Sequence, residues 1–189
     1  MKKNTSWKQA KEAFKYTFFF LLIFWILQFL KLIIGLNLNH LGIYPRSVYG
    51  LIGLITAPFI HGNLQHLIAN TLPFGIFCFL FFSIYRRKAW QRFILIWITA
   101  GFITWLIGRP AWHIGASGII YALASFLIFG GILSRKFLLI LLSVLLLIIY
   151  SGLIWGIFPS DAQTSWEGHL AGALSGLFWA YSFRKSLRK

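Results

Sequence analysis

Long apolar runs separated by short polar or basic segments account for most of the 189 residues. Because about 20 apolar residues in a helix cross the hydrocarbon core of a bilayer, these runs predict six transmembrane helices and an all-α polytopic membrane protein. The predicted spans are residues 16–35, 61–85, 93–107, 117–133, 137–158 and 168–183. The connection at residues 36–60 is broken by Asn, Gly and Pro yet stays apolar and aromatic, so we expect it to lie in the membrane interface.

One membrane domain, residues 16–183, is flanked by two basic ends. Residues 1–15 form a basic lead and residues 184–189 a basic tail, with no internal repeat or soluble domain between them. The lead runs directly into an apolar stretch without a small-residue cleavage site. This pattern favours a retained first span over a removed signal peptide.

The basic residues are divided unevenly between the two sides of this predicted topology. With both ends on the same side, that side holds 15 of the 18 Lys and Arg residues, and only Lys31, Arg46 and Arg109 lie on the other. Cytoplasmic segments of membrane proteins are enriched in Lys and Arg. We therefore expect a plasma-membrane protein with both termini in the cytoplasm and with the starts of spans two, four and six on the outer side.

The composition argues against several other classes of protein. Hydrophobic residues make up 59% of the chain and charged residues only 11%, whereas a soluble domain carries about 25% charged residues. The net charge of +15 suggests nucleic-acid binding, but the cations lie between apolar runs rather than on one surface, so we expect no nucleic-acid partner. The only cysteine, Cys78, excludes an intrachain disulfide and a cysteine metal site.

A serine flanked by small residues stands at the predicted start of span four. Ser117 follows Gly115 and Ala116 and precedes Gly118. Glycines allow close backbone approach, and the first N–H groups of a helix have no partner within it. The motif therefore suits a nucleophile with an oxyanion site, although on its own it is also typical of helix packing in membranes.

Polar residues mark the starts of spans two and six as well. His66 and Asn70 are four residues apart and share one helical face, whereas His61 is placed in the entering loop. Span six carries His169 within a ridge of small residues, Gly168, Gly172 and Gly176, which favours close contact with another helix. Polar groups inside a membrane are costly and are first interpreted as functional.

These groups fit a serine hydrolase with a two-residue catalytic dyad. A serine hydroxyl needs a base to accept its proton, and His169 is the best candidate for activating Ser117. His66, Asn70 and the Ser117 amide are candidate donors to an oxyanion. No acid completes a triad, because Asp161 is placed in a loop and Glu167 points elsewhere than His169. Tyr121, four residues after the serine, is expected to stack on the imidazole.

Together, the three motifs resemble the rhomboid family of intramembrane serine proteases in its minimal six-span bacterial form. The resemblance covers the chain from span one onward. It implies Ser117 as nucleophile, His169 as general base, and His66, Asn70 and the Ser117 amide at the oxyanion. It also implies a membrane-lying first outer loop, access of water from outside, and parting of spans two and five, or of the loop before span six, to admit transmembrane protein substrates.

The resemblance departs in the first loop, where many members have a Trp-Arg pair. This chain has Tyr44, Pro45 and Arg46 instead, so the anchoring of that loop is not carried over from the family. The motifs suggest no cofactor, and the sequence does not indicate an oligomeric state.

Three other functions remain as alternatives. A transporter or channel would continue its polar residues to the inner side, yet spans three and five offer little beyond Thr99, Thr104 and Ser143. A metalloprotease would need the His-Glu-x-x-His pattern, which is missing, and His61 and His66 have the wrong helical spacing for two zinc ligands. A helper that binds helices without cutting them would have lost the serine or the histidine. His113 is expected to be an interface residue beside Trp112, with a place near the mouth of the site as the alternative, and His40 is expected to be a loop residue.

Overall fold

The computed structural model describes residues 2–159 and 163–188, and within these residues the regular structure is helical. The α-helices are α1 (Lys2–Ile34), α2 (Gly53–Thr56), α3 (Leu64–Tyr85), α4 (Ala89–Ile107), α5 (Ser117–Ser134), α6 (Phe137–Ile149), α7 (Trp166–Ser182) and α8 (Arg184–Leu187). An isolated antiparallel bridge joins Ile43 to His113. The all-α prediction is therefore confirmed for the part of the chain that the structure describes.

Four of the described helices, α1, α3, α4 and α5, are long and apolar enough to cross a membrane. They correspond to predicted spans one to four. Helix α7 corresponds to span six but has only 17 residues, or about 25 Å at 1.5 Å per residue. That α7 crosses the membrane as the sixth span therefore remains a prediction.

The fifth predicted span is not one continuous helix. Helix α6 ends at Ile149, and a 3₁₀ segment, Ser151–Ile157, follows at an angle of 64° to it. Counted as one span, the bent pair is apolar enough to cross the membrane. The bend falls at Tyr150, Ser151 and Gly152, which interrupt the apolar run of predicted span five.

Helix α5 forms the centre of the bundle. It is 67% buried, compared with 39% or less of the most apolar 18-residue stretch in α1, α3 and α4. It packs closely on α7, because a Cβ on Gly172 would overlap the carbonyl oxygen of Gly118, and one on Gly176 would overlap that of Ala122. The small residues of span six therefore let the two helices that carry Ser117 and His169 meet backbone to backbone.

The first outer connection is folded into short helical turns against α4. Trp97 donates a hydrogen bond from Nε1 to the carbonyl of Leu54 at 2.7 Å. Arg46 donates from Nη1 to the carbonyls of Leu106 and Gly108 at 3.0 and 2.9 Å. Arg46 thus ties this connection to the end of α4 without the family's Trp-Arg pair. Its location in the membrane interface remains a prediction.

At the opposite end of the bundle, Arg92 lies inside α4, although the predicted spans leave it in the connection at residues 86–92. It is 5% exposed, and its guanidinium lies 5.2 Å from the rings of both Tyr85 and Phe183. Its Nη2 donates to Ser186 Oγ at 2.8 Å. These contacts offset part of the free-energy cost of burying the cation. They also hold the start of the basic tail against the bundle.

Candidate active site

The serine motif forms a tight turn followed by the start of α5. Gly115 has a φ of +108°, a conformation that L side chains rarely adopt. Its N–H donates to the carbonyl of Ala57 at 2.9 Å, so the turn is attached to the first outer connection. Ser117 is the first residue of the helix, and the first N–H groups of a helix have no acceptor within it.

The structure brings Ser117 and His169 into hydrogen-bond contact. Ser117 Oγ lies 2.9 Å from His169 Nε2, and His169 Nδ1 lies 2.8 Å from the carbonyl oxygen of Gly156. A carbonyl oxygen can only accept, which assigns the proton to Nδ1 and leaves Nε2 as the acceptor for the serine hydroxyl. This is the tautomer that a general base requires.

The ring of Tyr121 lies flat against the imidazole of His169. The ring centroids are 4.3 Å apart and the planes differ by only 9°. Because Tyr121 is one helical turn after Ser117, α5 supplies both the hydroxyl and the stacking surface that His169 contacts. The stack limits rotation of the imidazole about its side-chain bonds.

His66 and Asn70 face the turn in front of the serine. A Cβ built on Gly115 would lie 2.7 Å from His66 Nε2 and 3.7 Å from Asn70 Nδ2. The side chain of Asn63 accepts from the His66 N–H at 2.8 Å and so caps the helix that carries both residues. Asn70 is 5% exposed, and its Nδ2 has no hydrogen-bond partner among the described residues. It is a donor ready for an acceptor.

A cavity of about 430 Å³ joins these groups. His66, Asn70, Ser117 and His169 line it together with Gly62, Asn63, Trp112, Ile114 and residues 163–165. A second cavity of about 40 Å³ lies beside Ser117, with Gly118, Trp97 and Thr104 among its lining residues. The larger cavity has the donors and acceptors for acyl transfer, and the smaller one has room for a small group only.

His61 does not line the cavity but supports it. It is 1% exposed, and its ring lies 5.4 Å from that of Phe24 and 5.2 Å from that of His66. Lys31, at the end of α1, donates to the carbonyls of His61 and Gly62 at 2.8 and 2.9 Å. The role of Lys31 was missed, although a lone lysine at the outer end of an apolar span was a visible signal.

The contacts of His113 were also missed, and its expected location in the membrane interface remains a prediction. The side chain is 4% exposed, and its Nδ1 lies 2.6 Å from Ser165 Oγ. Its Nε2 donates to the carbonyl of Arg109 at 3.1 Å. Burial lowers the pKa of His113, which favours the neutral ring. His113 therefore links the approach to α5 with the approach to α7, because the bridge to Ile43 turns its side chain inward.

Of the two candidate acids, the structure describes only Glu167, and its carboxylate faces Arg109. Glu167 pairs with Arg109, with 3.4 Å between Oε2 and Nη1. Asp161 lies outside the described residues. Among the described residues, no group of three His, Cys, Asp or Glu side chains is arranged to hold a metal ion.

Comparison with known proteins gives matches over most of the chain. Residues 48–186 match the family model described as the Rhomboid domain. An uncharacterized protein of Mycobacterium tuberculosis is 37% identical over 180 residues, which cover 90% of this chain and 75% of that protein. An uncharacterized protein of Mycobacterium leprae is 33% identical over 183 residues, covering 90% and 71%. A protein of Acanthamoeba polyphaga mimivirus that is named as a rhomboid protein is 28% identical over 140 residues, covering 70% and 75%.

Proposed function

The chain belongs to the rhomboid family of multi-pass membrane proteins, and we propose that it is an intramembrane serine endopeptidase acting through Ser117 and His169. The observation that carries the proposal is the 2.9 Å contact between Ser117 Oγ and His169 Nε2. The contact stands at a cavity into which His66 and Asn70 also face. Nucleophile, base and polar donors thus come together on three different helices.

In the proposed reaction, Ser117 Oγ attacks the carbonyl carbon of the scissile peptide while His169 Nε2 takes the hydroxyl proton. The oxyanion that forms accepts hydrogen bonds from Asn70 Nδ2, His66 and the Ser117 amide. His169 then gives the proton to the leaving amine. A water molecule entering through the larger cavity hydrolyses the acyl-enzyme, with His169 again as base.

The proposed substrates are transmembrane segments of membrane-anchored proteins. A helical backbone in lipid is hydrogen-bonded internally, so the scissile carbonyl becomes accessible only where the substrate helix unwinds. The cavity of about 40 Å³ beside Ser117 supports a preference for a small residue next to the cut. We place the opening of the site on the outer side of the plasma membrane, which follows from the distribution of Lys and Arg.

A fluorophosphonate probe tests the proposal on purified protein in detergent. We expect the native protein to be labelled and to cleave a model transmembrane substrate, and both Ser117→Ala and His169→Ala to lose these activities. Ser125→Ala is the matched control, because Ser125 lies on the same helix and bonds across to α7, at the carbonyl of Ala173, outside the cavity. It should retain labelling.

The alternative is a non-catalytic membrane protein that binds or transports through the same polar pocket. Folded native protein that neither reacts with the probe nor cuts the substrate would favour this alternative. Labelling that survives in Ser117→Ala would show that the reactive group is another residue, which also contradicts the proposal.

A further inference from the structure

A backbone carbonyl occupies the place at His169 where a triad would have an acid. The carbonyl oxygen of Gly156 lies 2.8 Å from His169 Nδ1. In serine hydrolases a third group holds the base in the tautomer that leaves its other nitrogen free to accept the serine proton. The nearest acid along the helix, Glu167, is engaged with Arg109 instead. The Gly156 carbonyl is therefore positioned to orient the His169 imidazole.

The residue that carries this carbonyl is closely packed against Tyr121. A Cβ on Gly156 would overlap the hydroxyl of Tyr121 and lie 3.3 Å from His169 Nδ1. A side chain at residue 156 would displace either the Tyr121 ring, which stacks on the imidazole, or the backbone that carries the carbonyl. Gly152, in the same 3₁₀ segment, has nothing within 4 Å of a built Cβ. The two glycines thus differ in what they contact, although they share a segment.

The bend after α6 is what brings the carbonyl to the site. The chain turns by 64° between α6 and Ser151–Ile157, and this 3₁₀ segment then packs on α7. Its outward side chains are exposed, with Trp155 at 74%. A straight continuation of α6 would carry residue 156 along the helix axis and would engage its carbonyl in the helical hydrogen-bond ladder.

We propose that the Gly156 carbonyl is the positioning group that holds His169 in its Nδ1–H tautomer, and this inference rests on the proposed role of the Ser117–His169 pair. Within the bent segment, Gly156 is thus the residue that acts on catalysis, through His169. A hydrogen bond of this kind contributes about 1 kcal/mol, so its loss corresponds to roughly a fivefold fall in reactivity.

The first test compares Gly156→Ala with Gly152→Ala. We expect Gly156→Ala to react with the fluorophosphonate at least about fivefold more slowly than native protein, and Gly152→Ala to react at the native rate. ¹⁵N NMR of protein labelled at histidine reports which ring nitrogen of His169 is protonated, a property that a general loosening of the bundle would not change. The signals of His169, identified by their loss in His169→Ala, should show a protonated Nδ1 in native protein and in Gly152→Ala. In Gly156→Ala they should shift toward the Nε2–H tautomer.

A second pair of proteins covers the case in which Gly156→Ala does not fold. Replacing the amide after Gly156 by an ester weakens that carbonyl as an acceptor without adding an atom at the site, because an ester lacks amide resonance. The control ester follows Gly152, in the same segment. Slower labelling only with the first ester supports the inference, and equal rates overturn it.

Failure of the inference differs from failure of the proposed function. If native protein reacts and the Gly156 variants react equally fast with an unchanged His169 tautomer, the inference is wrong and the protease remains. If native protein does not react at all, the protease is wrong. The NMR comparison then decides separately whether the carbonyl sets the tautomer.

Discussion

The guanidinium of Arg109 lies 3.4 Å from the carboxylate of Glu167, which is 2% exposed. Arg109 precedes the serine turn, and Glu167 is two residues before His169. Two further bonds reinforce the pair, from the Arg109 N–H to Glu167 Oε1 at 3.3 Å and from Arg109 Nη2 to the carbonyl of Thr164 at 2.7 Å. The pair therefore joins the two segments that carry the candidate nucleophile and base.

Arg109→Ala is expected to destabilise the protein more than Glu167→Gln. The first change leaves a buried carboxylate without its cation, whereas the amide of the second still accepts the Arg109 N–H. Because the Arg109 side chain is 33% exposed, we expect a cost of about 1–3 kcal/mol for Arg109→Ala, below the usual range for a fully buried pair. Unfolding in detergent measures both, and a larger cost for Glu167→Gln would contradict this account.

Gly172→Ala is expected to separate α5 from α7 and so to lengthen the distance between Ser117 and His169. Its Cβ would overlap the carbonyl of Gly118, and overpacking of this kind typically costs about 1–3 kcal/mol. Fluorophosphonate labelling should fall together with stability. Gly75→Ala is the control, because its Cβ would meet Leu21 at an ordinary 3.6 Å; equal effects of the two changes would count against the packing argument.

Asn70→Ala is expected to lower kcat by about 10²–10³ while changing substrate binding little, because the amide would act on the oxyanion rather than on the ground state. Cleavage kinetics with a model transmembrane substrate measure the effect. Gln65→Ala, at an exposed position on the same helix, is the control and should keep the native kcat. A rise in KM with kcat unchanged would assign Asn70 to substrate binding instead.

His113 is expected to make the protein less stable in acid. Burial lowers its pKa from the ordinary value of 6.5, so the unfolded chain binds a proton more readily than the folded one. The stability contributed by the neutral ring is present above pH 6.5 and is lost as the pH falls toward the folded pKa, by up to about 1.4 kcal/mol per pH unit. His113→Gln should show a smaller loss between pH 6.5 and about 5. An unchanged pH profile of thermal unfolding would contradict this.

Much of the architecture follows from local pattern. The lengths of the apolar runs locate spans two, three and four to within about four residues, and span one at its C-terminal end only, because crossing a bilayer sets a minimum length that is visible in the chain itself. The three motifs mark the residues at the cavity, since polar groups and glycines stand out within apolar helices. The family resemblance that these motifs carry is confirmed by the match over residues 48–186.

The features of the site that could not be predicted from the sequence depend on contacts between distant residues and on the positions of backbone atoms. Ser151 and Gly152 interrupt the apolar run after α6, but they do not reveal the angle of the bend, and the Gly156 carbonyl at His169 has no side chain to signal it. Arg109 and Glu167 are 58 residues apart, and nothing in their spacing pairs them. Sequence alone therefore determined which groups are available to the candidate site. The tertiary structure decided which of them meet, because a hydrogen bond depends on a few tenths of an ångström that only the packed helices define.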